Sequence, residues 1–276
     1  MSTTKGWLAA TCAVASIGIS VCAMHHGTVN ALAHSVAQLV TVTEPFRITE
    51  VRPEALPTPE PLDTWVPTKN KHGESTTRVI VERGEKAHAP PIVMLGGMCS
   101  LVEWTCGSLN AAGDEHAFVC PKPTGRCSNG TPNWDNLWMS AYDLVDQSIN
   151  SVERAHPEAI DRERAILAGF SMGALVAANY VMSRPGYRRV LLAGAFVQLE
   201  AETLRKNGVE RVLLVSSDWD MARPSMVNTA KKLSAQGFAA RFLSTGPGGH
   251  GFAPSEAWWK MALAWLEDEN LALLEK

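Results

Sequence analysis

The chain has 276 residues, of which 46% are hydrophobic and 19% charged, with 21 Gly and 16 Pro. This composition is typical of a folded globular protein with a sizeable core, and it excludes collagenous, coiled-coil and disordered chains. The net charge is -3, from 25 Lys and Arg against 28 Asp and Glu of mixed order. Because such a chain offers no basic surface to neutralise phosphates, we expect no nucleic-acid partner.

The N-terminal segment has the layout of a secretory signal. Lys5 precedes an uncharged, mostly apolar run from Trp7 to Ala23, which matches the charged and apolar regions of a signal peptide. Small residues suit cleavage after Ala23 or after Ala33, and the sequence leaves both open. The 17-residue run is also at the lower limit for an uncleaved membrane anchor. We therefore expect residues 1–23 to be a signal peptide or an anchor, and the protein to be exported.

A proline-rich stretch follows. Six prolines lie between Glu44 and Pro67, too many for a helix or a central strand. Residues 24–61 are therefore predicted to be a linker, and residues 62–276 the folded domain.

Four cysteines follow the signal segment, namely Cys99, Cys106, Cys120 and Cys127. An even number in an exported protein favours disulfides. Four cysteines allow three pairings, and we favour the two local bridges, 99 with 106 and 120 with 127, because each closes a short loop. The competing interpretation is a zinc site, but the spacings are not of the C-x-x-C type and His116 is the nearby histidine, so we expect no metal.

From residue 62 onward, short apolar runs alternate with longer amphipathic segments, which predicts an α/β fold with a doubly wound, mostly parallel sheet. The predicted strands are Arg78 to Val81, Ile92 to Leu95, Ala117 to Cys120, Ala165 to Ala168, Val190 to Ala193, Val212 to Val215 and Ala240 to Leu243. The predicted helices are Asn136 to Ala155, Met172 to Met182, Pro224 to Ala235 and Pro254 to Glu267.

A G-x-S-x-G motif, from Gly169 to Gly173, stands between a predicted strand and a predicted helix. A serine on so sharp a turn needs small residues two positions before and after it, because the flanking chains pass close together. The helix that begins at Met172 would place free N–H groups beside the serine oxygen. Ser171 is therefore the candidate nucleophile.

The chain order of the other candidates is that of this motif type, in which an acid and then a histidine follow the serine. His250, in a glycine-rich loop after the last predicted strand, is the one histidine after Ser171 and the candidate base. Asp220 and Asp218 both follow the strand that ends at Val215; we prefer Asp220 as the acid and keep Asp218 as the fallback. The backbone N–H groups of Met98, which follows the pair Gly96-Gly97, and of Met172 are the candidate oxyanion hole.

These motifs resemble those of the α/β-hydrolase superfamily. The resemblance covers residues 62–276 and depends on Gly169 to Gly173, Leu95 to Met98, Asp220 to Pro224 and Gly249 to Gly251. The form Gly-Phe-Ser-x-Gly is similar to the carboxylesterase, phospholipase and dienelactone-hydrolase branches, and the family's acid commonly precedes a proline, which implies Asp220. One departure is Gly96, where many members have histidine.

A large cap domain is not expected, because fewer than about twenty residues separate Ala193 from Val212. Cover for the site would come from residues 99–136, where Trp104 and Trp134 are candidates for lining an apolar substrate groove, as is Trp219 beside the acid. For Trp138, core packing is favoured, and the same applies to the tryptophans of the last helix.

Together these features predict an exported serine hydrolase that cleaves small-molecule carboxylic esters through Ser171, His250 and Asp220, without a cofactor. A peptidase, thioesterase or acyltransferase would use the same residues. The alternative of another class is a non-catalytic binding domain with the same fold, although such a domain has no need of all three residues.

Overall fold

The structure is a computed structural model, and it describes residues 62–70, 73–81, 89–113, 116–134, 138–157 and 161–267. The expected signal segment, residues 1–23, and the expected linker, residues 24–61, lie outside this part. None of the helices in the described ranges combines the length and the apolar character that a membrane span requires.

Eight strands form one sheet in the order β1-β2-β4-β3-β7-β8-β9-β10. β1 pairs antiparallel with β2, and β2 antiparallel with β4. All the other neighbours in this order, from β4 through β3, β7, β8 and β9 to β10, pair in parallel, as predicted. Their bounds are β1 Leu62–Asn70, β2 Gly73–Val81, β3 Ile92–Leu95, β4 Ala117–Pro121, β7 Ile166–Phe170, β8 Arg189–Ala193, β9 Arg211–Ser216 and β10 Ala239–Ser244. A separate two-stranded hairpin consists of β5, Gly125–Arg126, and β6, Pro132–Asn133.

All seven predicted strands are present, but β1 was missed. Its residue Pro67, counted as part of the proline-rich stretch, lies within the strand and pairs in register with Thr76. The expectation that the proline-rich stretch forms no central strand is not contradicted, because β1 is at the edge of the sheet. An edge strand has no partner on one side, so a residue without an N–H donor is tolerated there.

Helices cover both faces of the sheet and enclose two apolar layers, which makes the fold a doubly wound α/β fold as predicted. One layer lies under α2 to α5, and the other under α1 and α6. The bounds are α1 Val102–Gly107, α2 Trp138–Ala155, α3 Met172–Ser183, α4 Ala201–Lys206, α5 Arg223–Ala235 and α6 Glu256–Glu267. Single turns of 3₁₀ helix occur at Asn110–Ala112 and Arg162–Arg164. The tryptophans of α6, Trp258, Trp259 and Trp265, are buried in the second layer.

The order of the strands places a cleft near the middle of the sheet. From β3 the chain moves to β4 on one side, and β7 then pairs on the other side of β3. At such a change of direction the two loops after the neighbouring strands separate, so ligands of open α/β sheets bind at their carboxyl ends. The connection from β8 to β9 contains only the six-residue helix α4, so this connection carries no large cap domain, as predicted.

The two disulfides are Cys99–Cys127 and Cys106–Cys120, with Cα atoms 5.7 and 5.9 Å apart. The favoured local pairing, 99 with 106 and 120 with 127, was therefore wrong. The reason is helix α1, which contains Cys106 and turns its side chain into the apolar layer. There Cys106 meets Cys120 of strand β4, and both side chains are fully buried. The other bridge, Cys99–Cys127, joins the loop after β3 to the hairpin formed by β5 and β6.

Candidate active site

Ser171 is the single residue between strand β7 and helix α3. Its backbone has φ 54° and ψ -118°, a left-handed conformation that is strained for any residue with a Cβ atom. The two glycines of the motif are sterically required. A Cβ atom on Gly169 would lie 2.5 Å from the carbonyl oxygen of Gly173, and one on Gly173 would lie 2.0 Å from that of Leu95. The close packing of β7, α3 and the end of β3 therefore raises Ser171 at the tip of a sharp turn.

His250 and Asp220 reach this serine from two other loops. The Oγ atom of Ser171 is 2.9 Å from Nε2 of His250, and Nδ1 of His250 is 3.1 Å from Oδ2 of Asp220. An ionised carboxylate only accepts hydrogen bonds, so the Nδ1 atom donates to Asp220 and Nε2 is free to accept the serine proton. The chain of bonds can thus raise the nucleophilicity of Ser171.

Burial and hydrogen bonding hold the acid in place. The Asp220 side chain is 2% exposed, whereas that of His250 is 50% exposed. The second oxygen of Asp220, Oδ1, accepts a hydrogen bond from the N–H of Ala222 at 2.8 Å. The carboxylate therefore has a fixed orientation, while the imidazole ring faces the side from which a substrate arrives.

Asp218, the fallback acid, points elsewhere. Its Oδ1 atom accepts hydrogen bonds from Oγ of Ser244, at 2.6 Å, and from Nη1 of Arg223, at 2.9 Å. Its own N–H donates to the carbonyl oxygen of Gly246 at 2.9 Å. Asp218 therefore joins the loop that carries Asp220 to the loop that carries His250.

The loop after β3 lies directly beside the serine. A Cβ atom on Gly97 would be 3.4 Å from the Cβ atom of Ser171, and Met98 is the next residue. Met172 opens helix α3, where the first N–H groups have no acceptor within the helix. The candidate donors thus belong to the two backbone segments on either side of Ser171.

Trp134 supports this loop instead of lining a groove. Its side chain is 2% exposed, and its Nε1 atom donates to the carbonyl oxygen of Gly96 at 2.8 Å. The prediction that Trp134 contacts substrate was therefore wrong, because the indole N–H is used to anchor the backbone. The other two candidates, Trp104 and Trp219, are 71% and 75% exposed, and of these two Trp104 lines a cavity beside Gly97 and Phe170. The side chain of Trp138 lies outside the described part.

Two residues near the triad were not foreseen. Gly194 follows β8 with φ +61°, and a Cβ atom there would lie 3.0 Å from Oδ2 of Asp220 and 3.3 Å from Cε1 of His250. The ring of Phe170 packs on the imidazole of His250, with centroids 4.9 Å apart. The signal for Gly194 was its place directly after a buried strand, next to Ala195.

The ranges that the structure covers contain no group of three His, Cys, Asp or Glu residues that could hold a metal ion. The four cysteines once considered as zinc ligands form disulfides. The Nδ1 atom of His116 is 2.8 Å from the carbonyl oxygen of Pro90, which accounts for this buried ring.

No protein-family profile and no curated protein matches the sequence. Solved structures do match in shape. Fluorophosphonate-binding serine hydrolase F of Staphylococcus aureus superposes with a TM-score of 0.55 at 14% identity, over 76% of this chain and 100% of that chain. An acylaminoacyl peptidase of Pyrococcus horikoshii gives 0.56 at 17% identity, over 76% of this chain and 42% of that chain. An arylesterase gives 0.54 at 14% identity, over 76% and 84%. The chain therefore has the α/β-hydrolase fold.

Proposed function

We propose that the protein is a serine hydrolase that cleaves carboxylic esters through Ser171, His250 and Asp220. The observation that carries the proposal is the continuous chain of hydrogen bonds, 2.9 Å from Ser171 to His250 and 3.1 Å from His250 to Asp220. Asp220 is 49 positions after Ser171, and His250 is 30 positions after Asp220, but the loops after β7, β9 and β10 bring them together. The esterases and serine hydrolases among the structural neighbours support a hydrolytic role.

The proposed reaction has two halves. In the first, Oγ of Ser171 attacks the ester carbonyl carbon while its proton passes to Nε2 of His250; the bond to the alcohol oxygen then breaks, and the alcohol leaves with that proton. In the second, His250 takes a proton from water as the water oxygen attacks the acyl carbon; His250 then returns this proton to Oγ of Ser171 as the acyl–oxygen bond breaks, and the carboxylic acid is released. Asp220 stabilises the imidazolium in both halves.

The developing negative charge on the carbonyl oxygen needs donors that are already in place. We assign this role to the backbone N–H groups of Met98 and Met172. The packing of Gly97 against Ser171 and the position of Met172 at the start of α3 support the assignment.

Export is part of the proposal. The run from Trp7 to Ala23 has the pattern of a secretory signal. The two disulfides support an oxidising location, since cytosolic proteins keep their thiols reduced. We therefore place the enzyme outside the cytoplasm, where its substrate would be a small-molecule ester.

The test is hydrolysis of p-nitrophenyl butyrate by the purified full chain and by Ser171→Ala and His250→Ala. Each variant is expected to lose at least about 10⁴-fold in kcat, because the members of a triad act as a unit. Ser234→Ala is the matched control, since Ser234 bonds to the carbonyl oxygen of Ala240, away from the triad, and it should keep full activity. Undiminished turnover by a folded Ser171→Ala variant would refute the proposal, as would a wild-type protein without any esterase activity.

A further inference from the structure

A small cavity opens beside Ser171. Its volume is about 160 Å³, and its lining includes Gly97 and Phe170. These two residues flank the nucleophile, because Phe170 precedes Ser171 in the chain and Gly97 packs against its Cβ atom. A group that enters the cavity is therefore adjacent to the atom that the serine attacks.

The position of the cavity identifies which half of an ester it accepts. The leaving oxygen must stay within hydrogen-bond reach of His250 to receive its proton. The ring of Phe170 packs on the imidazole and at the same time forms part of the cavity wall. His250 itself is not among the lining residues, whereas Gly96 and Gly97 of the loop that precedes Met98 are, so the cavity adjoins the loop to which an oxyanion donor is assigned and takes no surface from the base. The acyl chain, which stays on the serine after the alcohol has left, is therefore the part of the ester that has access to the cavity.

The walls suit a hydrocarbon chain of limited length. Met94, Trp104, Phe170 and Phe252 contribute apolar surface. A volume of about 160 Å³ holds about five groups of the size of a water molecule or a methylene. We infer that the cavity is the acyl-binding pocket and that it selects acyl chains of about four to six carbon atoms. This inference rests on the proposed esterase function and narrows its substrate class.

The part of the wall that Trp104 and Thr105 contribute is held by covalent bonds. Helix α1 forms it, and disulfides attach both ends of the segment from Cys99 to Cys106 to other parts of the fold. Within this segment, Thr105 is held by the bond from its Oγ1 atom to the carbonyl oxygen of Leu101, at 3.2 Å. It is also packed so tightly on Gly96 that a Cβ atom there would be 2.4 Å away. A wall that is unable to retreat gives a sharp limit on chain length.

Trp104 and Trp219 allow a matched comparison. Both side chains are strongly exposed, at 71% and 75%, so truncation of either removes little buried surface and leaves folding intact. Only Trp104 lines the cavity; Trp219 is adjacent to Asp220 in the chain. Ser108, at the end of α1, also lines the cavity, and a leucine there would reduce its volume.

The experiment measures kcat/KM of the full chain on p-nitrophenyl esters with acyl chains of 2, 4, 6, 8, 10 and 12 carbons. We expect a rise of about fourfold per methylene up to the capacity of the pocket, since each buried methylene contributes about 0.8 kcal/mol, and a fall beyond six carbons. In Trp104→Ala the ratio of the eight-carbon to the six-carbon substrate should rise about tenfold. In Ser108→Leu the optimum should move to shorter chains, and in Trp219→Ala it should stay unchanged.

The outcomes separate the two proposals. If esters are hydrolysed but kcat/KM rises through twelve carbons, or if Trp104→Ala and Trp219→Ala give the same profile, the pocket assignment is wrong and the esterase function stands. If no ester of any length is hydrolysed, the proposed function fails and the pocket assignment fails with it. Circular dichroism of each variant establishes that the comparison is made between folded proteins.

Discussion

Substitution of Gly194 by alanine tests whether the triad depends on an empty space between its members. Gly194 has φ +61°, and the added Cβ atom would lie 2.9 Å from Cε2 of Phe170, 3.0 Å from Oδ2 of Asp220 and 3.3 Å from Cε1 of His250. Ordinary contacts of a Cβ atom are several tenths of an ångström longer. The carboxylate and the imidazole must therefore move apart to admit the methyl group.

Two costs follow from this change. A residue with a Cβ atom in the left-handed region costs about 1–2 kcal/mol of stability, which lowers the Tm by roughly 2–8 °C in a domain of this size. Displacement of catalytic groups by as little as about 1 Å costs up to about 10²-fold in rate. We expect kcat/KM for p-nitrophenyl butyrate to fall by roughly ten- to hundredfold.

Gly208→Ala separates the two costs. Gly208 also has a positive φ, +78°, but a Cβ atom there meets no atom within 4 Å. This variant should lose a similar amount of stability in a thermal melt while it keeps wild-type kcat/KM. If Gly194→Ala retains the activity of Gly208→Ala at a temperature where both are folded, the argument that Gly194 makes room for the triad is refuted.

Two further predictions concern the residues around the site. Asp220→Asn should lower kcat by about 10³–10⁴-fold, because the amide holds the wrong tautomer of the imidazole. Asp218→Asn should lower kcat by less than about tenfold, since Asp218 bonds to Arg223 and Ser244 and not to His250. Equal losses of kcat in steady-state assays would contradict the assignment of Asp220 as the acid. Trp134→Phe leaves the carbonyl oxygen of Gly96 without its indole donor, so the free energy of unfolding measured in urea should fall by about 1–3 kcal/mol. The fall in kcat should be larger than the rise in KM. Unchanged kcat would show that this hydrogen bond does not position the oxyanion loop.

Much of the fold was predictable because its central strands are short and apolar. Strands such as β3 and β8 are buried on both faces, so their residues form continuous hydrophobic runs that stand out between amphipathic helices. The edge strand β1 has no such signature. It alternates buried and exposed residues and contains Pro67, so it resembles the proline-rich stretch that precedes it.

The disulfide pairing was not predictable from spacing. The entropy of loop closure favours bridges between near neighbours in the chain, but its free energy changes little with loop length. It is outweighed here by helix α1, which directs Cys106 to β4 and away from Cys99. The direction of a side chain from a helix that packs on a sheet is a property of the tertiary structure.

For the site, chain order and motif were sufficient to name the three residues that the structure brings together. The distinction between Asp218 and Asp220 came from the family pattern, and hydrogen bonds now separate the two. The place of Gly194 after a buried strand did not reveal its contribution, because its contacts with Asp220 and His250 join residues far apart in the sequence. The prediction that Trp134 lines a groove was wrong for a similar reason. Which of several tryptophans is buried depends on how the loops pack, and the sequence does not show this packing.

Labelling with a fluorophosphonate, followed by peptide mapping, tests the central claim most directly, because this probe reacts with a serine only when a base activates it. The purified full chain is compared with Ser171→Ala and with the folded control Ser234→Ala. The account predicts one adduct per chain, located on Ser171, present in the control and absent from Ser171→Ala. A folded wild-type protein that remains unlabelled, or an adduct that persists in Ser171→Ala, would contradict the assignment of Ser171 as an activated nucleophile.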